Sequence, residues 1–292
     1  MKTQKLLPYL LLSPALFLIF SLFFYPTFYS WYLCFFNIKA YYQGGFVGLF
    51  HFQKLITDPS FLNALYVTFF YVMYCLIIEI LFGLGLAVLL NEIRRGTSII
   101  QVFLTLPLMI TPVVTTLVFK LIFIPAEYGM INKILALLNL KGQTLLTSPQ
   151  TAIIPLIVID VWQWTPFVTL ILLAGIKGIP PTLFEVADID GAKGFEKFIH
   201  VTVPLLGPSL IVAIFFNGMR LLKTFDTVAI LTRGGPIEST NLISYYIRLI
   251  TVEYMKLSAG AAATQILLAI ILIICNIFIS SRYFKEVFGV GR

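Results

Sequence analysis

The apolar positions of this chain fall into long runs rather than the short alternating patterns of water-soluble helices and strands. A helix needs about 20 mostly apolar residues to cross the roughly 30 Å of hydrocarbon in a membrane. Six runs are close to this length or exceed it: residues 8–28, 64–90, 102–124, 152–174, 206–222 and 261–281. The pattern predicts an all-α membrane protein with six transmembrane helices.

The first run could also be a secretory signal, because Lys2 and Lys5 precede it. It is longer than a usual signal core, however, and no small-x-small cleavage pattern follows it, so we expect a retained first span. No internal repeat, low-complexity segment or Pro/Gly/Ser-rich linker divides the chain. A single transmembrane domain over residues 1–292, with a core of about 60–282, is therefore expected.

Basic residues near the ends of spans tend to stay on the cytoplasmic side of a membrane. If both termini lie inside, more basic residues fall in short cytoplasmic segments than if both termini lie outside. They are Lys2, Lys5, Arg94, Arg95, Lys177, Lys193, Lys197, Arg282, Lys285 and Arg292. The opposite side spreads its basic residues, such as Lys39, Lys54, Lys133, Lys141 and Arg248, over longer segments. The bias favours an N-in, C-in topology with the longest cytoplasmic stretch between spans four and five.

Composition excludes several function classes. Only 11% of the residues are charged, against about 25% in soluble domains, and the basic residues form no stripe for nucleic acid. The three cysteines lie far apart, and His51 and His200 have no second ligand nearby, so both histidines are expected at the surface and no metal site is predicted. No nucleophile has an adjacent base, so the sequence supports no catalytic residue.

The segment between spans four and five reads PPTLFEVADIDGAKGFEKFIHVTVPLLGP over residues 180–208. It predicts a short helix, a break at Gly191 and a second helix. Glu185 and Asp188 are expected near the start of the first helix, where the helix dipole favours acidic groups. Ala187 and Ala192 leave its surface shallow, as a helix that enters a partner's cleft requires.

This segment resembles the permease subunits of binding-protein-dependent ABC importers, whose signature is EAA, three residues and a glycine. The matching positions are Glu185, Val186, Ala187, Asp188, Ile189, Asp190, Gly191 and Ala192, followed by Phe198, Val203, Pro204 and Pro208. The first alanine of the signature is valine here, which adds two methyl groups to one helix face. That change is expected to reshape the contact with a partner without abolishing it.

The resemblance covers most of residues 46–268 and is strongest to the carbohydrate-type, maltose and glycerol-phosphate permease-like branch. Four further pieces carry it, in the same order as in that branch. They are Phe46, Val47, Gly48, Leu49, Asp58, Pro59, Phe61 and Ala64; Pro125, Tyr128, Gly129, Ile131 and Asn132; Asp160, Trp162, Trp164, Thr165, Pro166 and Phe167; and Leu231, Thr232, Gly234, Gly235, Pro236, Ser239 and Thr240.

The resemblance implies that the loop helix is a coupling helix, which docks onto a separate ATPase. Its contact residues would be Glu185, Ala187, Asp188, Asp190, Gly191, Ala192 and Pro204. It also implies a second, different permease chain, two copies of a nucleotide-binding subunit that use ATP and Mg²⁺, and an extracytoplasmic solute-binding protein. The setting would be a bacterial cytoplasmic membrane, and the solute a sugar, polyol or oligosaccharide. This chain has no GxxxxGK[ST] phosphate loop and is expected to bind no cofactor.

Polar groups inside spans are costly, at about 2.5–3.5 kcal/mol for a charged residue, and usually face protein or a wet path. Glu79 needs such an explanation. The candidate substrate-path residues are Asp160, Trp162, Gln163, Trp164, Asn217, Arg220 and Gln265, whose carboxylates and amides suit sugar hydroxyls and whose indoles suit pyranose rings. Each of them also has a structural alternative, since polar groups pair across helices and Trp anchors helices at interfaces.

Two other functions fit parts of the pattern. An ion-coupled secondary transporter would use Glu79, Asp160 and Arg220 as a relay, with spans broken at Pro107, Pro112, Pro155 or Pro166. Such transporters usually have two related halves, which this chain lacks. A membrane scaffold without transport would leave the polar groups inside the spans without a role.

Overall fold

The computed structural model of the protein describes residues 2–39, 42–93, 96–124, 129–138 and 142–280. Several positions used in the sequence analysis lie outside these ranges: Arg94, Arg95, Pro125, Tyr128, Lys141, Ser281, Arg282, Lys285 and Arg292. Contacts divide the chain into two compact units, one of Met1–Leu62 with Tyr246–Ile270 and one of Asn63–Tyr245 with Ile271–Arg292.

Helices form most of the described chain. In chain order they are α1 Lys2–Ile19, α2 Tyr25–Cys34, α3 Phe50–Ile56, α4 Pro59–Glu92, α5 Thr97–Met109, α6 Pro112–Phe123, α7 Met130–Leu137, α8 Ile153–Lys177, α9 Pro181–Ile189, α10 Gly194–Lys197, α11 Val203–Leu205, α12 Gly207–Leu221, α13 Asp226–Leu231, α14 Ile243–Arg248 and α15 Leu257–Ser280. Three π-helical turns, Phe20–Phe24, Phe198–Thr202 and Leu249–Glu253, continue α1, α10 and α14.

Four helical segments of the described chain are long and apolar enough to cross a membrane: Leu11–Cys34, Pro59–Glu92, Ile153–Lys177 and Leu257–Ser280. Two bent helix pairs also meet the length and composition criteria, Thr97–Met109 with Pro112–Phe123 and Gly194–Leu205 with Gly207–Leu221. The described chain thus has four to six candidate spans, all overlapping the predicted runs.

The third predicted span, residues 102–124, is broken in the described chain. Its two helices, α5 and α6, meet at an angle of 89°. Ile110 and Thr111 have extended backbones, as is usual before a proline, and Pro112 begins α6. The break frees backbone groups at Ile110, and the side chain of Gln163 donates a hydrogen bond of 2.7 Å to its carbonyl oxygen. A side chain of the neighbouring helix α8 therefore replaces the hydrogen bond that the break removes from the Ile110 carbonyl group, as an apolar surrounding requires.

The all-α prediction missed a short hairpin in the first unit. Strands β1 Phe36–Lys39 and β2 Tyr42–Phe46 pair antiparallel, with a bulge between Phe36 and Ile38. Ser258 of α15 contacts the hairpin through its hydroxyl, which accepts a hydrogen bond of 2.8 Å from the Ile38 amide. The strands are only four and five residues long, which explains why periodicity did not reveal them.

His51 of α3 corrects a second prediction, because it is buried rather than at the surface. Its Nε2 lies 3.2 Å from the carbonyl oxygen of Phe36 in β1. Burial lowers the pKa of the His51 imidazole below 6.5, the nearby charge of Lys54 lowers it further, and the contact with Phe36 opposes the shift. His200, by contrast, is exposed as predicted.

The second unit packs α4, α8 and α12 against one another. Gly175 of α8 permits the approach of α12, because a Cβ at this position would collide with the side chain of Ser209 and come within 2.8 Å of Leu206. An apolar core that includes Leu172, Leu206 and Ala213 lies along this contact. The close packing holds the polar side chains of the three helices within reach of one another.

Candidate functional site

Two regions of the second unit hold most of the candidate functional residues. The first consists of α9, α10 and the turns that lead into α12. Gly191 separates the two short helices and has a φ of +76°, a left-handed backbone that glycine adopts without a steric penalty. The Ala192 amide donates to the Ala187 carbonyl oxygen at 2.9 Å, which closes the end of α9. The predicted order of helix, break and helix is confirmed.

The position of the acidic residues on α9 differs from the prediction. The helix begins at Pro181 and ends at Ile189, and no acidic residue lies in its first turn. Glu185 is in the middle of the helix and Asp188 in its last turn, so the favourable dipole at the N-terminus does not act on them. Asp188 instead forms an ion pair with Lys197 of α10. This pair links the two short helices across the break at Gly191.

The surface of this region combines charge with exposed apolar side chains. Glu185, Asp190 and Pro204 are exposed, whereas Ala187 and Ala192 are half-buried. Ile189 is 85% exposed and Phe195 is 72% exposed. At the start of α10, the carboxylate of Glu196 accepts a hydrogen bond of 2.7 Å from the Lys193 amide. The two short helices therefore present a surface on which exposed apolar side chains lie beside charged ones.

The second region is a buried polar cluster contributed by α4, α8 and α12. The Arg220 guanidinium NH2 lies 2.6 Å from Asp160 Oδ1 and 3.3 Å from Glu79 Oε1. Its Nε donates a hydrogen bond of 2.8 Å to Asn217 Oδ1, and the Asn217 amide donates to Glu79 Oε2. The Tyr71 hydroxyl donates to Asp160 Oδ2 at 2.6 Å. One guanidinium therefore joins carboxylates of two other helices.

The electrostatics of this cluster depend on its burial. Glu79 is fully buried, Asp160 is 4% exposed and Arg220 is 19% exposed. An isolated buried charge costs several kcal/mol, and pairing with hydrogen-bonded partners offsets that cost. Each of the three charged groups has such partners here, so the cluster fixes the relative positions of the three helices that carry it.

A cleft of about 470 Å³ opens beside the cluster. The ring centre of Trp164 lies 4.3 Å from Arg220 Cζ, in cation–π contact. The cleft is lined by residues of α6, α8, α12, the segment that follows α12, and α13: Pro112, Asp160, Gln163, Trp164, Phe215, Phe216, Met219, Arg220, Lys223, Thr224, Phe225, Asp226 and Thr227. This mixture of aromatic and polar groups suits a ligand that has both apolar faces and hydroxyls.

The structure brings together five of the seven predicted path residues. Four of them line the cleft: Asp160, Gln163, Trp164 and Arg220. The fifth, Asn217, lies behind the cleft and accepts a hydrogen bond from Arg220. Trp162 lines a different, mainly apolar groove of about 540 Å³, and its ring packs on Phe119 with 5.3 Å between the centroids. Gln265 belongs to the other compact unit, where its amide donates to the Ser30 hydroxyl at 3.1 Å.

Sequence reasoning missed Tyr71 as a member of this cluster. Tyr71 and Cys75 precede Glu79 on α4 at intervals of four residues, so they share one helix face with it. That spacing, together with a hydroxyl inside a span, was the available signal. No group of three or more His, Cys, Asp or Glu residues that could hold a metal ion occurs in the described chain.

Comparison with known proteins identifies the class of transporter. Residues 79–284 match the family of the binding-protein-dependent transport system inner membrane component. The chain belongs to this family. It is a multi-pass permease subunit of an ABC importer, and ATP hydrolysis takes place in separate subunits of such importers. These matches give no support to the alternative of an ion-coupled secondary transporter.

Two relatives and one solved structure illustrate the assignment. The trehalose/maltose transport system permease protein MalF of Thermococcus litoralis is 35% identical over 199 residues, which are 68% of this chain and 67% of that protein. The sulfoquinovosyl glycerol transport system permease protein SmoG of Agrobacterium fabrum is 30% identical over 278 residues, 94% of this chain and 90% of that protein. A bacterial alginate ABC transporter, crystallised with its alginate pentasaccharide-bound periplasmic protein, has a chain with the same fold, with a TM-score of 0.83, 22% identity and coverage of 97% and 96%.

Proposed function

We propose that this ABC permease translocates a sugar or a related polyol or oligosaccharide. The observation that carries the proposal is the cleft beside Arg220, where aromatic rings and hydrogen-bonding groups lie together along α8, a helix long enough to span a membrane. Rings of Trp164 and Phe215 suit the CH faces of a sugar, and the polar groups beside them suit its hydroxyls. The names of the relatives, a trehalose/maltose and a sulfoquinovosyl glycerol transport system permease protein, support the same class.

The proposed solute path runs along this cleft. Asp160, Gln163, Trp164 and Arg220 are its candidate contacts, with Asn217 supporting Arg220 from behind. Trp162 and Gln265, two of the residues proposed from the sequence, are not lining residues of this cleft. They are therefore weaker candidates for a direct solute contact than the residues that line it.

The helix pair α9 and α10 is the proposed coupling element that docks onto the ATPase. The exposed apolar side chains of Ile189 and Phe195, next to the charged Glu185, are the features expected of a protein-binding face. The contact residues would be Glu185, Ala187, Asp188, Asp190, Gly191, Ala192 and Pro204. The turn Phe198–Thr202 and α11 join this pair to α12, which carries Arg220.

The proposed assembly and topology follow from the importer class. We infer one transmembrane domain over residues 1–292 with six spans and both termini in the cytoplasm of a bacterium, the two bent helix pairs each counting as one span. The assembly is completed by a second, different permease chain, two ATPase subunits that bind ATP and Mg²⁺, and an extracytoplasmic solute-binding protein.

The topology is tested by a cysteine placed at the exposed Lys193. This cysteine should resist labelling by a membrane-impermeant reagent from outside intact cells, and labelling there would contradict the topology.

The proposed function is tested by purification of the tagged chain in mild detergent, followed by ATP-driven uptake of labelled sugars by the reconstituted complex. The native chain should copurify with an ATPase, and Glu185→Arg should lose it because the charge on the docking face is reversed. Glu238→Arg is the matched control, since Glu238 is also exposed and lies far along the chain from α9. Sugar uptake without an ATPase, driven by an ion gradient, would overturn the proposal.

A further inference from the structure

The β1–β2 hairpin of the first unit stays close to the end of the first candidate span. That span is Leu11–Cys34, and β1 begins two residues later at Phe36. Phe46 of β2 is the register partner of Phe36, and residues opposed in an antiparallel pair have Cα atoms about 5 Å apart. The Val47 amide also donates to the Phe35 carbonyl oxygen at 2.8 Å. Phe46 and Val47 therefore lie at the level where the span ends.

The last candidate span gives a second marker of the same level. It is Leu257–Ser280, and its second residue is Ser258. The Ser258 hydroxyl accepts a hydrogen bond of 2.8 Å from the Ile38 amide and donates one of 3.2 Å to the Ile38 carbonyl oxygen. The start of α3 is held there too, since His51 Nε2 lies 3.2 Å from the Phe36 carbonyl oxygen. The hairpin and the start of α3 are thus fixed to the ends of two spans, where hydrocarbon meets the lipid headgroups.

Three large apolar side chains project from this position and are uncovered in the described chain. Phe46, Leu49 and Phe50 are 71%, 58% and 51% exposed. The ring of Phe46 is held by Phe35 and Phe36, with 6.4 and 5.7 Å between the ring centroids. Removal of one such side chain from water is favourable by about 1.5–3 kcal/mol. An apolar surface fixed in this place therefore favours an environment other than water.

The composition of residues 36–51 indicates which environment that is. Lys39 is the one charged residue among these 16, whereas a surface for a protein partner usually has a polar rim. Lys39, and Lys54 farther along α3, are exposed, as suits ammonium groups that reach lipid headgroups. Aromatic residues are typical of the membrane–water interface, and five occur here: Phe36, Tyr41, Tyr42, Phe46 and Phe50.

We propose that the hairpin and the start of α3 lie in the membrane interface, with Phe46, Leu49 and Phe50 inserted among the lipid headgroups and the upper acyl chains. This surface binds lipid, and neither the solute-binding protein nor the second permease chain covers it. It anchors the first unit in the bilayer at the ends of two spans. The inference depends on the membrane class of the chain and not on the solute or its path.

A single tryptophan at residue 46 tests this depth in the full chain. Trp31→Phe, Trp162→Phe and Trp164→Phe remove the three native indoles, and Phe46→Trp adds one reporter by an aromatic-for-aromatic exchange. The chain is placed in nanodiscs, and its fluorescence is titrated with acrylamide, which measures access from water. Nanodiscs of lipids brominated at a shallow or at a deep acyl position measure the depth of the ring.

The Phe46→Trp reporter should lie about 5–10 Å into the boundary between headgroups and acyl chains, so shallow bromine should quench it more than deep bromine. Phe23→Trp in the same background is the deep control, because Phe23 is exposed in the middle of the first span, and deep bromine should quench it more. Ile189→Trp, on the exposed face of α9, is the aqueous control. Acrylamide should quench it about twofold or more as efficiently as it quenches Phe46→Trp.

Three outcomes would overturn the inference. Acrylamide quenching of Phe46→Trp equal to that of Ile189→Trp would place the ring in water, where a solute-binding protein could reach it. Shielding from both acrylamide and brominated lipid would place it against protein, and stronger quenching by deep bromine would place it inside the hydrocarbon. Phe50→Trp, as a second reporter, should give the same shallow depth as Phe46→Trp. None of these measurements requires transport, so their failure would leave the importer function intact.

Discussion

The buried cluster around Arg220 and the exposed helix pair α9–α10 use charged residues in opposite ways. In the cluster, two carboxylates are buried and the partly buried guanidinium of Arg220 forms an ion pair with each of them. In the helix pair, charged groups lie in solvent beside exposed apolar side chains such as Ile189 and Phe195. The first arrangement fixes helices relative to one another, and the second leaves a surface available for a partner. The difference teaches that burial, more than residue type, decides what a charge does in this chain.

The largest expected effect comes from removal of the central cation. Arg220→Met leaves Glu79 and Asp160 buried without their counter-ion, which should lower the free energy of unfolding by about 3–5 kcal/mol. Heat-induced loss of monodisperse protein in detergent measures it. Arg248→Met is the control, because the ion pair of Arg248 with Glu253 at 2.5 Å is exposed, and such pairs contribute about 1 kcal/mol or less. An equal loss of thermal stability in Arg220→Met and Arg248→Met would contradict the difference proposed between buried and exposed charges.

A smaller effect is expected at the break between α5 and α6. Gln163→Leu removes the donor to the Ile110 carbonyl oxygen, and an unsatisfied polar group in an apolar surrounding costs about 1–3 kcal/mol. The same thermal assay applies, with Gln150→Leu as the control, because Gln150 is exposed. An unchanged midpoint for Gln163→Leu would show that the bend does not depend on this bond.

In the exposed region the corresponding change is Gly191→Val. A residue with a side chain pays about 1–2 kcal/mol to adopt the left-handed backbone of Gly191, and the cost is larger for a β-branched residue. The turn between α9 and α10 should therefore change its conformation. ATP-coupled uptake should fall while membrane insertion and total expression stay normal. Gly194→Val is the matched control, since Gly194 has no left-handed φ and open space around its Cβ position. Normal coupled uptake in Gly191→Val would count against the proposed docking role.

The smallest expected effect is the pH dependence contributed by His51. Its pKa is lowered in the folded chain, so folding disfavours the protonated form. The stability contributed by the neutral imidazole is complete above pH 6.5, the ordinary histidine value, and is lost as the pH falls from there towards the lowered pKa. His51→Gln should flatten the melting temperature between about pH 7 and pH 5. His200→Gln, at an exposed position, is the control substitution for the loss of a histidine.

The sequence alone determined the membrane class, the apolar runs and the helix, break and helix around Gly191. These features depend on local composition, because a span needs only length and apolarity, and a left-handed turn needs only a glycine at the correct place. The spacing of α8 also contained a signal that was not used. Residues two apart on a helix point about 200° from each other. Trp162 and Trp164 were therefore never able to line one cleft, whereas Asp160 and Trp164, four residues apart, share a face.

Tertiary structure alone decided which polar residues meet. Glu79, Asp160 and Arg220 come from α4, α8 and α12, and no local pattern states that one guanidinium contacts both carboxylates. The bend at Ile110 is a similar case, because prolines at 107 and 112 permit a break but the donor that satisfies it belongs to another helix. The same holds for the burial of His51, which depends on a hairpin too short to give a periodic signal. Local sequence specifies local conformation, whereas contacts between distant segments depend on the packing of the whole unit.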